Sequence, residues 1–239
     1  MDRNTYKERV KEEISRYKQC GNVHDLPPIF RYWANKHLAS ILKPFGLSHV
    51  DDIYFRYIKR VCSSVDNAML FLASIGAGNC KLEVEIVKKL HKAGIKNLLL
   101  ECFDINTCML DRGKQLAAKE GVSRYLRFIP TDLNKWKPAR QYHIIIAHQS
   151  LHHFLHLEEV LDGILQGLHP HGYFVTNDVI GRKGHMLWPE ALAVVEKIWK
   201  GLPQRYKYNH QLGKICDEYE NWDCSQEGFE GIRAQDILP

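Results

Sequence analysis

The strongest constraint on how this chain folds is a change of grammar at Ala68. From there to Thr176, apolar runs of strand length alternate with stretches of helical periodicity. The strand-like runs are 69–75, 95–103, 125–129, 142–147 (YHIIIA) and 173–176. Between them lie Leu82, Ile86, Val87 and Leu90 on one helical face closed by Gly94, a second helix around 109–118 ending near Gly121, and a third with Val160, Leu161, Ile164, Leu165 and Leu168. His169, Pro170, His171 and Gly172 read as the turn into the fifth strand. Strands alternating with helices predict a mostly parallel α/β sheet covered on both faces, with right-handed crossovers. Ligands bind such sheets beyond the carboxyl ends of the strands, so the informative loops begin at Gly76, Asp104, Thr131, His148 and Asn177.

The stretch before Ser64 reads as helices. Tyr6, Val10, Ile14 and Tyr17 recur at helical spacing, and Gly21 and Pro27–Pro28 interrupt them. A second helix carries Ile29, Phe30, Tyr32, Trp33, Leu38, Ile41 and Leu42 and closes at Pro44 and Gly46. A third runs from Asp51 to Val61, with Asp51 or Ser48 available as N-cap. The expected division is a helical cover over 1–66 and a sheet domain over 67–239, with a substrate-covering insert after strand five. A length of 239 residues suits one α/β domain with such an appendage.

The net charge of +5 is small and scattered, with clusters at Arg56, Lys59 and Arg60 and at Arg205 and Lys207. Nucleic-acid enzymes concentrate basic residues on one face among aromatics, so a nucleic-acid partner is not favoured. The seven cysteines include no CxxC pair, which reads as free thiols in a reducing compartment. The first residues, MDRNTYKERVKEEISRYK, are too charged for a signal peptide, and no apolar run is long enough to span a bilayer. A cytoplasmic location without a membrane partner is expected. Oligomeric state stays open, a homodimer included.

The first informative loop is Ser74, Ile75, Gly76, Ala77, Gly78, Asn79 and Cys80. Two glycines one residue apart let the backbone turn tightly and approach a ligand, although a plain strand-to-helix turn would use them too. Lys81 stands where a dinucleotide fingerprint requires its third glycine, which weighs against NAD or FAD. Asp104, with Ile105 beside it, ends strand two, and a carboxylate there can accept both hydroxyl protons of a ribose or cap the next helix. Glu101 lies three positions earlier and faces differently. In Thr131, Asp132, Leu133 and Asn134, an acid and an amide can meet an adenine amino group with Leu133 on the ring face; an Asx turn is the alternative.

Gly76-Ala77-Gly78, Asp104, Thr131-Asp132, HQSLHHF (148–154) and HPHGYFVTNDVIGRKGHMLWPE (169–190) fall in the order and spacing of class I S-adenosylmethionine (SAM)-dependent methyltransferases, whose sheet is Rossmann-like. The chain resembles most the bacterial small-molecule members with Leu-His-His-Phe after strand four, firmly over 68–180 and loosely beyond. The resemblance implies SAM as cofactor and a small-molecule methyl acceptor. It implies that Gly76 and Gly78 cradle the methionine portion, that Asp104 binds the ribose, that Asp132 with Leu133 holds adenine, and that His148 and Gln149 line the cofactor. It departs from the pattern at Ser74, where the family often has an acidic residue, and this leaves open how the cofactor's amino group is held. It also implies an antiparallel pair closing the sheet after strand five. The stretch EGFEGIRAQDILP, ending at Pro239, leaves that pair undecided.

His148, His152, His153 and His156 admit structural, metal-binding and catalytic readings. No HExxH or cysteine pair accompanies them, so no metal site is assigned from sequence. If the acceptor is a hydroxyl or protonated amine, His152 or His153, just beyond strand four, is the best-placed base. Asp178, Arg182 and His185 in the loop after strand five are candidates to orient a polar substrate, or form a solvated loop; Asp178 joins the two histidines as a candidate catalytic group. The expected function is methyl transfer to oxygen or nitrogen of a small molecule. Methylation of RNA or protein, and a non-catalytic SAM-binding regulator, are the rival readings.

Overall fold

The computed structural model describes residues 3–19, 28–65, 68–209, 214–226 and 228–238. Cys20, Gly21, Pro27, Pro239 and the expected domain boundary at 66/67 lie outside them. α1 (Arg3–Gln19) comes first. α2 (Pro28–Trp33), a π-helical stretch (Ala34–Leu38) and α3 (Ala39–Leu42) then continue one another. This run closes at Gly46, in a left-handed conformation at φ 66° as the sequence led us to expect. α4 (Asp52–Cys62) follows, but neither expected cap forms. Asp51 makes no side-chain cap, and Asp52 in the first turn instead accepts from the backbone N–H groups of Ser48 and His49 at 3.1 and 2.9 Å.

The sheet has five parallel strands in the order β3-β2-β1-β4-β5: β1 (Leu70–Ile75), β2 (Leu98–Asp104), β3 (Leu126–Pro130), β4 (Tyr142–His148) and β5 (Leu168–Asn177). α5 (Lys81–Lys92), α6 (Thr107–Lys119) and α7 (Leu157–Gly167) connect them. This is the Rossmann-like arrangement expected from the alternation. The His169–Gly172 segment does not turn the chain; it is already part of β5, and the register against β4 shifts between Tyr142 and Ile144 to absorb it. After β5 come α8 (Pro189–Gly201) and a separate antiparallel pair, β6 (Tyr208–Asn209) and β7 (Lys214–Ile215). Among the described residues this pair does not join the main sheet.

Successive strand residues point to opposite faces, and both faces are packed. Leu72, Leu100, Ile144 and Ile146 meet α5 and α6 on one side, together with Tyr54, Ile58 and Val61 of α4. Ala73, Ile75, Ile145 and Ala147 meet α7 on the other. α4 therefore belongs to the core under the sheet, although it lies within the expected cover. Among the described residues no helix is long and apolar enough to cross a membrane. The cysteines among them, including Cys80 and Cys102 in the core, are free thiols.

Candidate active site

The strand order reverses between β1 and β4, so the loops leaving those strands diverge and open a crevice. A cavity of about 860 Å³ occupies it. The glycines make the crevice geometrically possible. Gly76 has φ 72°, and a Cβ there would sit 2.5 Å from Ser150 Cβ of the β4 loop, so only glycine lets the two loops meet. Gly78, at φ 53°, donates its N–H to Asp104 Oδ2 at 2.7 Å. Cys80 takes a left-handed conformation at φ 55° just before α5, where the turn dictates it.

Of the expected cofactor residues, Gly76, Ala77, Gly78, Asp104, Ile105, Asp132, Leu133, His148 and Gln149 line this one chamber. Asp104 does not cap the next helix, since Asn106 does so by accepting from Met109 N–H at 3.2 Å. Asp104 holds backbone instead, Gly78 through Oδ2 and Asn106 through Oδ1 at 2.8 Å, and burial pushes its carboxyl above the usual range. Asp132 forms the expected local turn, accepting from Asn134 N–H at 3.2 Å, and also takes the Tyr6 hydroxyl of α1 at 2.7 Å. Asn134 Nδ2 donates to the same hydroxyl at 3.0 Å, so α1 is pinned over the β3 loop. Glu101 faces away from the chamber, as expected, and accepts from the Tyr142 hydroxyl at 2.6 Å in the core.

Ser74 and Thr131 do not reach the chamber wall. The Thr131 hydroxyl turns back to the Ile129 carbonyl at 3.2 Å. Ser74 is buried and donates to Glu83 Oε1 at 2.6 Å. Glu83, in the first turn of α5, is a site residue that sequence reading missed. It is 2 % exposed, lines the chamber, and leaves Oε2 without a hydrogen bond. Burial, with the nearby Asp104 and Asp51 carboxylates, raises its pKa to about 7. Ser74 was the only hint, because a serine in that place leaves a carboxylate to be sought elsewhere.

His152 and His153 line the same chamber. His152 is buried, with Nδ1 hydrogen-bonded to Asp178 Oδ1 and Nε2 3.3 Å from Glu230 Oε1. Burial works to lower its pKa, but the two carboxylates prevail and raise it to about 9. The same pairing holds Asp178 and Glu230 below the carboxylate range against their own burial. His153 goes the other way: burial and the neighbouring His152 lower it to about 4. Asp178 is not on the chamber wall; its Oδ2 accepts from Ser150 and Leu151 N–H at 2.9 and 2.7 Å, which fixes the β4 loop. His185 reaches Glu230 Oε1 through Nε2 at 2.8 Å, and Arg182 donates to the Leu187 carbonyl at 2.8 Å.

Glu230 was also missed, for it sits in the turn-rich stretch near the C-terminus. That stretch docks on the site through backbone bonds, Gly184 N–H to Gly231 O at 2.8 Å and Arg233 N–H to His152 O at 3.2 Å. α1 joins it, with Arg9 donating to the carbonyls of Ser225, Gln226 and Gly228. The Arg56, Lys59 and Arg60 cluster lies elsewhere, engaged with the Phe45 and Gly46 carbonyls and with the rings of Phe55 and Tyr173.

Residues 75–176 match the family model described as "Methyltransferase domain". No curated protein sequence matches the chain. Solved structures that resemble it include the [4+2]-cyclase SpnF (17 % identity, 52 % of this chain and 43 % of that one, TM-score 0.43). The CurJ carbon methyltransferase matches at 20 % identity over 55 % of this chain and 35 % of its own, TM-score 0.48. DhpI in complex with S-adenosylhomocysteine (SAH) matches at 14 % identity over 72 % and 70 %, TM-score 0.43. The chain thus spans less than half of the first two. The matched segment runs from the end of β1 to the end of β5 and contains every strand-end loop that lines the chamber except the one leaving β5. Over residues 75–176, somewhat less than half of its length, the chain is similar to a methyltransferase domain.

Proposed function

We propose that the chain transfers a methyl group from SAM to an oxygen or nitrogen atom of a small molecule. One observation carries the reading: the Gly76–Gly78 turn, Asp104 and the Asp132–Leu133 shelf leave three adjacent strands and line a single chamber that His152 and His153 also line. Bound SAM supplies an electrophilic methyl on a sulfonium. The chain's own task is to hold and align, since in-line displacement depends chiefly on geometry.

The residues present suit that ligand. Asp104 already accepts from the backbone N–H groups of Gly78, Asn106 and Ile105, and a carboxylate has about four lone-pair positions, so acceptor capacity remains for a ribose hydroxyl. Leu133 offers an apolar face for a purine, with Asp132 at its polar edge. Glu83 supplies, from α5, the carboxylate that Ser74 does not, and its free Oε2 suits an ammonium group. His148 and Gln149 line the space between cofactor and acceptor.

On the acceptor side His153 faces the chamber with Nδ1 in no hydrogen bond, so it is the group best placed to take a proton from the nucleophile. Asp178 acts as a positioning residue for His152. α1 and the segment bearing Glu230 close the chamber and would together exclude water. Calorimetric titration with SAH tests the cofactor assignment, and a methyl-transfer assay over hydroxylated and amino acceptors tests the rest. SAH binding without transfer by any acceptor class would favour a regulator.

A further inference from the structure

We propose that His152, His185 and Glu230 form a binding site for one divalent transition-metal ion of the zinc class. The three side chains come from the β4 loop, the loop after β5 and the C-terminal segment, and their ligand atoms lie within 4.8 Å of one another. His152 Nε2 is 3.3 Å and His185 Nε2 2.8 Å from the same oxygen, Glu230 Oε1. Zinc binds nitrogen and carboxylate oxygen at about 2.0–2.2 Å, which in a tetrahedron separates ligands by roughly 3.3 Å. The two separations at Glu230 Oε1 lie within about half an ångström of that spacing, and the third is no more than 4.8 Å, so side-chain rotation of the two imidazoles toward each other admits the ion.

Three further features point the same way. One carboxylate oxygen faces two imidazole nitrogens, an arrangement that needs a proton on each nitrogen or a single cation shared by both. His152 Nδ1 is bonded to Asp178, which is itself fixed by two backbone N–H groups. A metal-ligating histidine is oriented in that way, with the remaining nitrogen left to bind. The backbones carrying the ligands are locked to one another: Gly184 N–H bonds Gly231 O, and Arg233 N–H bonds His152 O. Gly231, at φ 67°, lies so close that a Cβ would come within 3.0 Å of the His185 backbone nitrogen.

Two imidazoles and one carboxylate select a zinc-class ion over magnesium or calcium, which prefer all-oxygen shells. Three protein ligands leave a position open, and His152 and Glu230 line the chamber, so that position faces the space assigned to the acceptor. The ligand it would take there is an oxygen donor of the acceptor. That last assignment rests on the methyltransferase reading; the metal site does not.

The test is titration of the EDTA-treated chain with Zn²⁺ by calorimetry and with Co²⁺ by visible absorption. We expect one equivalent of Co²⁺ to give d–d bands without a near-ultraviolet thiolate band, displaced by Zn²⁺ and unaffected by Mg²⁺. Asp178→Asn should weaken Zn²⁺ binding about 10- to 100-fold, and His185→Ala and Glu230→Gln by more. Circular dichroism checks that each variant folds, and Glu230→Gln, the smallest change, carries the test if His185→Ala does not. Zn²⁺ binding that is absent, equal in wild type and Glu230→Gln, or accompanied by a thiolate band would overturn the proposal. SAH binding measured without metal is a separate readout, so failure here leaves the cofactor reading standing.

Discussion

Asp104 performs two tasks with one carboxylate, and they can be separated. Its bonds to Gly78 and Asn106 shape the cradle, and in the proposed function its remaining acceptor capacity serves the ribose. One hydrogen bond to a charged acceptor at about 1.5 kcal/mol amounts to roughly 10-fold in affinity. Asp104→Ala should lose about that much SAH affinity in calorimetry and keep its circular dichroism spectrum; unchanged affinity would remove Asp104 from the site. Glu83 carries a pH signature. Its carboxyl titrates near 7 in the fold and near 4.5 when exposed, so the folded state favours its neutral form. No cost arises below pH 4.5. Between 4.5 and 7 the unfolded chain releases the proton first, and stability falls by up to about 3 kcal/mol. Urea unfolding across that window should show the decline, and Glu83→Gln should flatten it. The same variant should weaken SAH far more than 5′-methylthioadenosine, which has no amino group for Glu83 to hold; equal weakening would contradict the ammonium assignment.

At the scale of elements, the β1 and β4 loops meet only because Gly76 has no Cβ. Gly76→Ala adds left-handed backbone strain and a collision with Ser150, together costing about 2–5 kcal/mol, measurable by chemical denaturation. α1 is held to the rest along its length: Tyr6 bonds Asp132 of the β3 loop, Arg9 bonds the C-terminal segment, and the Ile14 and Tyr17 carbonyls accept from Asn106 and Arg112. A cover of this kind opens locally before the sheet does. Amide exchange over 5–17 should therefore slow on adding SAH, while β1 and β4 stay protected throughout; exchange in α1 that ignores the ligand would argue against a cover. The strands and α5 to α7 were legible because two-sided burial writes continuous apolar runs and single-sided burial writes a helical stripe. The His169–Gly172 segment was not, because proline and glycine are turn residues in isolation and a bulge in β5 is decided by pairing with β4. The capping of α4 was not either, since Asp51 and Asp52 are equivalent in sequence and only the path of 48–49 chooses between them.

At the scale of the whole molecule, the site assembles segments that the sequence keeps far apart. Strand-end loops could be read in advance because parallel α/β topology dictates where their residues converge, and Gly78, Asp104 and Leu133 lie accordingly. Glu230 and Tyr6 could not, because they reach the chamber through the docking of terminal segments, which no periodicity encodes. Glu83 could not, because a glutamate in the first turn of a helix reads as a solvated partner of the helix dipole. Its burial follows from the turn at Cys80, which carries α5 back beneath Ser74. The central claim is that these segments enclose an adenosyl ligand. The direct measurement is calorimetric titration of the purified chain with SAM and SAH, with NAD as the control. Micromolar binding of both adenosyl ligands and none of NAD is the predicted result. Well-folded protein that binds neither would contradict the account, leaving a methyltransferase fold without its cofactor.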